Sequence, residues 1–232
     1  MDIEGTAHMI LIGMFDSPFV RRVAVSMTLL EIPFEHRNWS VGKDFELIRQ
    51  FNPLGRVPAL VLADGESLID SAAILDFLDD RVGPERALLP RSGKERRDAL
   101  RIVAIALGAA EKGLHQLFEI VFKPDTKRHE PWMERCRHQM HGALSELDRL
   151  AQTGPGQWIL GNRLTQADIT ATCVYTYLCD ALRLGESWRV YPGLSALAAR
   201  CESLPAFQHS RLKFDPPTPY ADPKPTRKDA VY

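Results

Sequence analysis

The chain has little cysteine, and its cysteines are not arranged for disulfide or dithiol chemistry. None forms a C-x-x-C pair, and all four lie in the second half of the 232 residues: Cys136, Cys173, Cys179 and Cys201. A disulfide framework is typical of short secreted chains with closely spaced cysteines. We therefore expect free thiols and a cytoplasmic location.

A charge excess and a long apolar run are also missing. The sequence carries 29 Lys and Arg against 30 Asp and Glu, which argues against a nucleic-acid partner. The longest apolar run, residues 102–110, is too short to span a bilayer. We also expect no signal peptide. We expect no membrane partner, and we exclude residues 1–8 from the fold because they carry no periodic pattern.

Metal-ligating side chains are sparse. Cys136, His138 and His141 lie close together on a predicted helix, but a tetrahedral structural site needs more ligands than these three offer. We interpret them as part of a solvated helix face and expect no metal site.

Beyond these absences, the first part of the chain alternates strand and helix patterns. Predicted strands cover residues 9–13, 33–38, 59–63 and 68–69, and predicted helices cover residues 18–30, 45–51 and 72–82. A strand–helix–strand crossover implies parallel pairing, whereas the tight turn at Asp64-Gly65 implies an antiparallel pair. The order βαβαββα therefore predicts a small α/β domain with a mixed sheet over residues 9–82.

The second part is predicted to be all-helical. A Gly- and Pro-containing linker, residues 83–93, precedes a helical domain over residues 94–210. Its predicted helices cover residues 94–122, with a break near Gly108 or Gly113, and then residues 131–151, 165–184 and 193–203. The tail, residues 211–232, is dense in proline and is predicted to be extended or disordered.

One helix start has a specific local signature. Thr165 and Asp168 have the spacing of a capping box, and Leu164 and Ile169 occupy the flanking positions of a hydrophobic staple. We interpret this motif as structural, because it sets where a buried helix begins.

Two loop–helix junctions are candidates for chemistry. Ser17 precedes Pro18, which suits the first position of a helix, so Ser17 is the predicted N-cap. A hydroxyl there either only caps the helix or stabilises an anion such as a thiolate near the positive end of the helix dipole. At the second junction, Ser71 is the predicted cap, and Asp70 and Ser71 together suit the two charges of an amino-acid head group, although an ordinary helix start is the alternative.

Between these junctions, Val57-Pro58 begins a predicted strand. Proline lacks a backbone donor and fits the start or edge of a strand. A trans bond would simply begin the strand, whereas a cis bond would leave the Val57 backbone free to pair with a peptide-like ligand.

Taken together, these features resemble the glutathione transferases, a family with a thioredoxin-like first domain and an all-helical second domain. The resemblance covers roughly residues 9–207 and is closest to serine-type bacterial members. It rests on four motifs: SPFVRRV at 17–23, NPLGRVPAL at 52–60, DS at 70–71 and LTQAD at 164–168.

The resemblance implies roles for individual residues. Ser17 would face the sulfur of glutathione and Val57, before a cis proline, would pair with its cysteinyl part. Asp70 and Ser71 would hold the γ-glutamyl head. The remaining expected contacts are Phe19 and, at the glycyl carboxylate, Lys43 or Arg56.

It also implies a homodimer and an enzyme that activates glutathione as co-substrate for attack on an electrophilic small molecule. Isomerase, reductive and dehalogenating variants stay open, and Leu114, Leu117 or Phe118 are expected beside the second substrate. The family commonly has Glu or Gln in place of Asp70, and Ser17 replaces the Cys of relatives with thiol–disulfide chemistry, so that chemistry is not expected. The alternative is a non-catalytic binding or regulatory protein of the same fold, like the stringent-starvation protein.

Overall fold

The structure, a computed structural model, describes residues 9–185 and 187–216. Its first part contains four strands and three helices in the predicted order. They are β1 (Met9–Ile12), α1 (Pro18–Leu29), β2 (Phe34–Arg37), α2 (Phe45–Ile48), β3 (Ala59–Val61), β4 (Ser67–Ile69) and α3 (Ser71–Val82).

The sheet is mixed, as predicted. Its strand order is β2-β1-β3-β4, with β1 parallel to β2 and antiparallel to β3, and with β3 antiparallel to β4. Leu11 and Leu60 are partners in the central pair and are fully buried. The thioredoxin-like fold predicted for this region is therefore confirmed.

The second part is helical. It consists of α4 (Gly93–Phe122), a single 3-10 turn (Asp125–Lys127), α5 (Glu130–Thr153), α6 (Gln166–Ala181), α7 (Ser187–Val190), α8 (Pro192–Glu202) and α9 (Pro205–His209). The turn, α7 and α9 were not predicted, because three to five residues carry too little periodicity. Over residues 9–185 and 187–216, every helix is too short or too polar to span a bilayer.

Helix α4 corrects one prediction, because it runs without a break through Gly108 and Gly113. A Cβ at Gly113 would lie 2.2 Å from Leu178 Cδ2. The glycine therefore lets α4 and α6 pack closely, and this packing compensates for its low helix propensity.

The predicted capping box begins α6. Thr165 Oγ1 accepts a hydrogen bond from the Ala167 amide at 3.2 Å, and Asp168 accepts one from the Thr165 amide at 2.9 Å. Asp168 also accepts from the Ile159 amide at 2.8 Å. The box is confirmed, and it additionally fastens the preceding loop.

The helical part packs directly on the first part through α1 and α6. Gln166 Nε2 donates to Ser26 Oγ at 2.6 Å, and Arg21 reaches across to Glu202. One continuous buried cluster includes Val23, Met27 and Val174 from these helices. Of the predicted proline-rich tail, residues 217–232 lie outside the described residues.

Candidate active site

A cleft of about 560 Å³ lies at the start of α1. Its walls come from both parts of the chain. The residues from the first part are Met14, Asp16, Ser17, Pro18, Phe19, Trp39, Ser40, Val41, Gly42, Gly55, Arg56 and Val57. Those from the second part are Leu114, Leu117, Phe118, Phe122, Tyr177, Phe214 and Asp215.

The turn between β1 and α1 requires a glycine at its start. Gly13 has a φ of 128°, and a Cβ there would lie 2.6 Å from Val20 and 2.7 Å from Val57. This close approach brings the turn against Val57. His36 also stabilises this turn, because its Nε2 donates to the Gly13 carbonyl at 2.7 Å.

Ser17 is the N-cap residue of α1, as predicted, but its side chain makes no capping hydrogen bond. Pro18 follows at the first helical position, where its missing N–H costs nothing. Ser17 is half-buried and lines the cleft. Its hydroxyl therefore lies beside the positive end of the helix dipole without being used to cap it.

Val57 reaches the cleft through a tightly bonded turn. Asn52, which is buried, donates from Nδ2 to the Arg56 carbonyl at 2.7 Å and accepts from the Leu54 amide at 3.0 Å. The Val57-Pro58 bond is cis, in agreement with the resemblance. Ser17, Arg56 and Val57 therefore share one cleft.

The second helix start departs from its prediction in one respect. Asp70, not Ser71, is the N-cap of α3, and its carboxylate accepts from the Ala72 amide at 2.8 Å. Asp70 was the better cap because it lies before the first helical residue, where a carboxylate reaches the second amide. Its φ is 66° and its ψ is 134°. Such a sparsely populated backbone conformation costs a non-glycine residue about 1–3 kcal/mol, and residues in such conformations cluster at ligand sites.

Ser71 is buried beneath this cap and contacts a buried arginine. Its hydroxyl accepts a hydrogen bond from Arg22 Nη1 at 3.2 Å. Burial lowers the pKa of Arg22 to about 10, and the charge of Asp70 partly opposes that shift. Asp70 and Ser71 lie at the start of α3 and are not among the cleft-lining residues.

The wall contributed by α4 is apolar. Leu114, Leu117 and Phe118, the residues expected beside a second substrate, all line the cleft. Phe118 remains 46% exposed, which is a large exposure for a phenyl ring. Phe118 and Phe122 are in ring contact at 5.4 Å and extend this surface.

Phe214 and Asp215, near the end of the described residues, also line the cleft. The ring of Phe214 contacts Tyr177 edge-on at 5.7 Å. The Asp16 carboxylate accepts a hydrogen bond from the Asp215 amide. Burial raises the pKa of Asp16, and the hydrogen bond from the Asp215 amide partly opposes that shift.

The predicted site residues thus fall into three places. Ser17, Phe19, Arg56 and Val57 line the cleft, Asp70 and Ser71 lie at the start of α3, and Lys43 is an exposed residue next to the cleft-lining Gly42. Sequence reasoning missed Trp39, Phe214 and Arg22. An arginine inside an apolar helix pattern was the only available signal for Arg22.

The potential metal ligands of α5 are dispersed. His138 contacts Glu134 at 3.1 Å, and His141 Nδ1 lies 2.5 Å from the Tyr191 hydroxyl. Cys136 is fully buried.

Two family models match the chain. The model of the glutathione S-transferase N-terminal domain matches residues 11–86, and the model of the C-terminal domain matches residues 130–200. The chain belongs to the glutathione S-transferase family. The resemblance drawn from the four motifs is therefore confirmed.

Curated relatives align with most of this chain. It is 31% identical to the uncharacterized GST-like protein YibF of Escherichia coli strain K12, over 78% of this chain and 86% of that protein. It is 28% identical to a probable maleylacetoacetate isomerase of Drosophila melanogaster, over 85% of each chain.

Solved structures agree with the fold assignment. A glutathione S-transferase of Methylobacterium radiotolerans, crystallised with glutathione sulfonate, superposes with a TM-score of 0.80 at 28% identity, covering 93% of this chain and 97% of its own. A Pseudomonas fluorescens family member with bound glutathione gives 0.74 at 28% identity, covering 88% and 98%.

Proposed function

We propose that the protein is an enzyme that binds glutathione and promotes attack of its thiolate on an electrophilic small molecule. The observation that carries this proposal is the hydroxyl of Ser17, which lines the cleft at the start of α1 without serving as a cap. A thiolate placed there is favoured by the helix dipole and by a hydrogen bond donated from that hydroxyl.

In this proposal residues 9–82 hold the tripeptide. The Val57 backbone pairs with its cysteinyl part, and Asp70 and Ser71 hold the two charges of the γ-glutamyl head. Phe19 flanks the bound tripeptide beside Ser17. The glycyl carboxylate meets Arg56, which lines the cleft, or Lys43, which lies beside it.

Residues 94–210 supply the site of the second substrate. The apolar wall of Leu114, Leu117 and Phe118 favours an electrophile with an apolar body. The protein's contributions to the rate are then a lowered thiol pKa and the positioning of the electrophile next to the sulfur.

Calorimetry with glutathione, followed by turnover assays, tests the function. We expect binding at millimolar concentration or below, and consumption of at least one electrophile from a panel of an aryl halide, an epoxide, an enone and a cis-enone dicarboxylate. S-methylglutathione is the matched control, because it should bind without reacting. Absence of glutathione binding at millimolar concentration would refute the proposal, and binding without any turnover would favour a regulatory protein.

We further propose that the protein is a homodimer. Within residues 45–54, Leu54, Phe45 and Leu47 are 66%, 41% and 42% exposed, and clustered exposed apolar residues are typical of interfaces. Light scattering should give twice the chain mass, and Leu54→Glu should shift the protein towards monomer. A wild-type monomer at micromolar concentration would contradict this.

A further inference from the structure

Arg22 is a buried cation for which the described residues provide very little pairing. It is 2% exposed, and its Nη1 donates to Ser71 Oγ at 3.2 Å. Its Nε is buried and has no hydrogen-bond partner within residues 9–185 and 187–216. Burial of a guanidinium without a directly bonded carboxylate is costly, which points to a role for Arg22 besides packing.

The carboxylate that attracts Arg22 makes its hydrogen bond with another group. Asp70 attracts Arg22 electrostatically, but its carboxylate caps α3 through the Ala72 amide at 2.8 Å. The thiol of Cys173 also lies near Arg22, and burial raises its pKa to about 12, so it is neutral. The positive charge of Arg22 therefore lies beneath the start of α3 without a bonded counter-charge from the described residues.

The contact with Ser71 sets the direction of one proton. A guanidinium only donates hydrogen bonds, so the Ser71 oxygen must accept from Arg22. The single hydroxyl proton of Ser71 is then free to point away from Arg22. The backbone amides of the first turn of a helix are also donors, and a carboxylate satisfies donors of this kind.

We propose that Arg22 is a positioning residue for the α-carboxylate of the bound γ-glutamyl head. It orients the Ser71 hydroxyl as a donor to that carboxylate, and its buried charge favours an anion at the start of α3. This inference rests on the proposed function, because it takes glutathione as the ligand.

The proposal predicts opposite effects on stability and binding. Replacing an unpaired buried charge by an apolar side chain of similar length is neutral or stabilising for the free protein. Arg22→Met should therefore keep or raise the melting temperature while it weakens binding of ligands that carry the α-carboxylate. If Arg22 only held α1 and α3 together, its replacement would lower the melting temperature.

Calorimetry with three peptides isolates the carboxylate. Glutathione is compared with 4-aminobutyryl-cysteinyl-glycine, which lacks the α-carboxylate, and with γ-glutamylcysteine, which lacks the glycine. In the wild type, loss of the α-carboxylate should weaken binding roughly tenfold or more, as for a charge-assisted hydrogen bond. In Arg22→Met this ratio should fall to about threefold or less, while the effect of removing the glycine stays unchanged.

Two further variants keep the test decisive if Arg22→Met does not fold. Arg22→Lys retains the charge and should keep part of the affinity ratio between glutathione and the peptide that lacks the α-carboxylate. Ser71→Ala should lower this ratio as much as Arg22→Met does. The double variant of Arg22→Met and Ser71→Ala should show no further loss. Ser26→Ala is the matched control, because Ser26 Oγ donates to the Arg22 carbonyl at 2.7 Å and accepts from Gln166 Nε2 at 2.6 Å, and neither bond involves Ser71.

The outcomes separate the two proposals. If the wild type does not bind glutathione, the proposed function fails. If the wild type binds and every Arg22 variant that folds keeps the wild-type carboxylate ratio, Arg22 is structural and only the present inference fails.

Discussion

The carboxylate of Asp16 accepts a hydrogen bond from the backbone amide of Asp215 at 3.1 Å, although the two residues are 199 positions apart in the chain. Together with the contact of Phe214 on Tyr177 at 5.7 Å, this bond fastens residues 211–216, the C-terminal strap, beside Ser17. Because Phe214 and Asp215 line the cleft, the strap belongs to the wall that a second substrate would meet.

Removing the ring of Phe214 should therefore impair the second substrate and not glutathione. For Phe214→Ala we expect the KM of an apolar electrophile to rise roughly fivefold, corresponding to about 1 kcal/mol for a half-buried ring. The glutathione Kd should stay within a factor of about two. Steady-state kinetics with each substrate varied in turn measures both quantities.

Leu212→Ala is the matched control for this variant. Leu212 lies on the same strap but does not line the cleft, so its truncation should leave both constants unchanged. Equal effects of the two variants would mean that the strap acts through stability and not through contact with substrate.

The Ser17 hydroxyl should act mainly on turnover. For Ser17→Ala we expect kcat to fall by about a hundredfold, the loss typical of one preorganised donor to a developing or bound anion. Without the donated hydrogen bond the pKa of the bound thiol rises, so the activity of the variant should move to higher pH. Stopped-flow titration of thiolate absorbance in the glutathione complex checks the shift directly.

Ser40→Ala provides the comparison, since Ser40 lines the same cleft and its hydroxyl accepts from the Gly42 amide at 3.3 Å. It should retain wild-type kcat, and Ser17→Thr should retain most of it. Wild-type turnover in Ser17→Ala would mean that another group activates the thiol.

The part of the site carried by local rules was open to prediction from sequence. Pro18 at the first helical position located Ser17, and the capping-box spacing located the start of α6. The exact cap of α3 was missed because both Asp70 and Ser71 have capping side chains, and only the backbone geometry shows that Asp70 lies outside the helix.

Long-range features had no local signal. The pairing of Asp16 with Asp215 depends on how the segment after α9 packs against the turn before α1. Arg21 and Arg22 are both buried, because α1 is covered by the helical part on one side and by the sheet and α3 on the other. Burial of consecutive polar residues is a property of tertiary packing, which helix periodicity does not report.

Arg21 should be a major contributor to stability. It donates from Nη1 and Nη2 to the two carboxylate oxygens of Glu202 at 2.7 and 2.6 Å, and from Nη2 to the Phe207 carbonyl at 3.1 Å. Arg21→Ala should lower the free energy of unfolding by about 3 kcal/mol, because it removes one partner of a largely buried pair. Urea unfolding followed by circular dichroism measures the loss.

Arg211→Ala is the comparison for Arg21. Arg211 pairs with Asp180 at 3.2 Å, and its side chain is 44% exposed. The expected loss in unfolding free energy is therefore below about 1 kcal/mol. Similar losses in the two variants would show that the Arg21 pair contributes no more than a surface pair.

The capping box should contribute through its buried carboxylate. Asp168 is fully buried and accepts hydrogen bonds from the Ile159 amide, the Thr165 amide and the Thr165 hydroxyl. Asp168→Ala leaves these donors unsatisfied, and we expect a loss of about 3 kcal/mol in unfolding free energy with unchanged dimensions of the folded protein. Asp168→Asn should lie in between, since one oxygen remains, and an unchanged melting temperature in Asp168→Ala would contradict the role of the box.

His36 should make stability depend on pH. Burial lowers the pKa of its imidazole, and the charge of His209 adds to this, although the bond to the Gly13 carbonyl acts in the opposite direction. Between the lowered folded pKa and the unfolded value of about 6.5, the unfolded chain binds more protons than the folded one. The free energy of unfolding must therefore fall as the pH drops below about 6.5.

Replacing His36 with glutamine removes this titration while keeping a donor within reach of the Gly13 carbonyl. We expect melting temperatures of His36→Gln to vary less between about pH 7.5 and about pH 5 than those of the wild type. Some dependence should remain, because burial also lowers the pKa of His141. His115→Gln, a change at an exposed position on α4, should keep the wild-type slope. If His36→Gln keeps it as well, the folded and unfolded states bind protons equally at His36, and the turn before Ser17 is insensitive to acid through this residue.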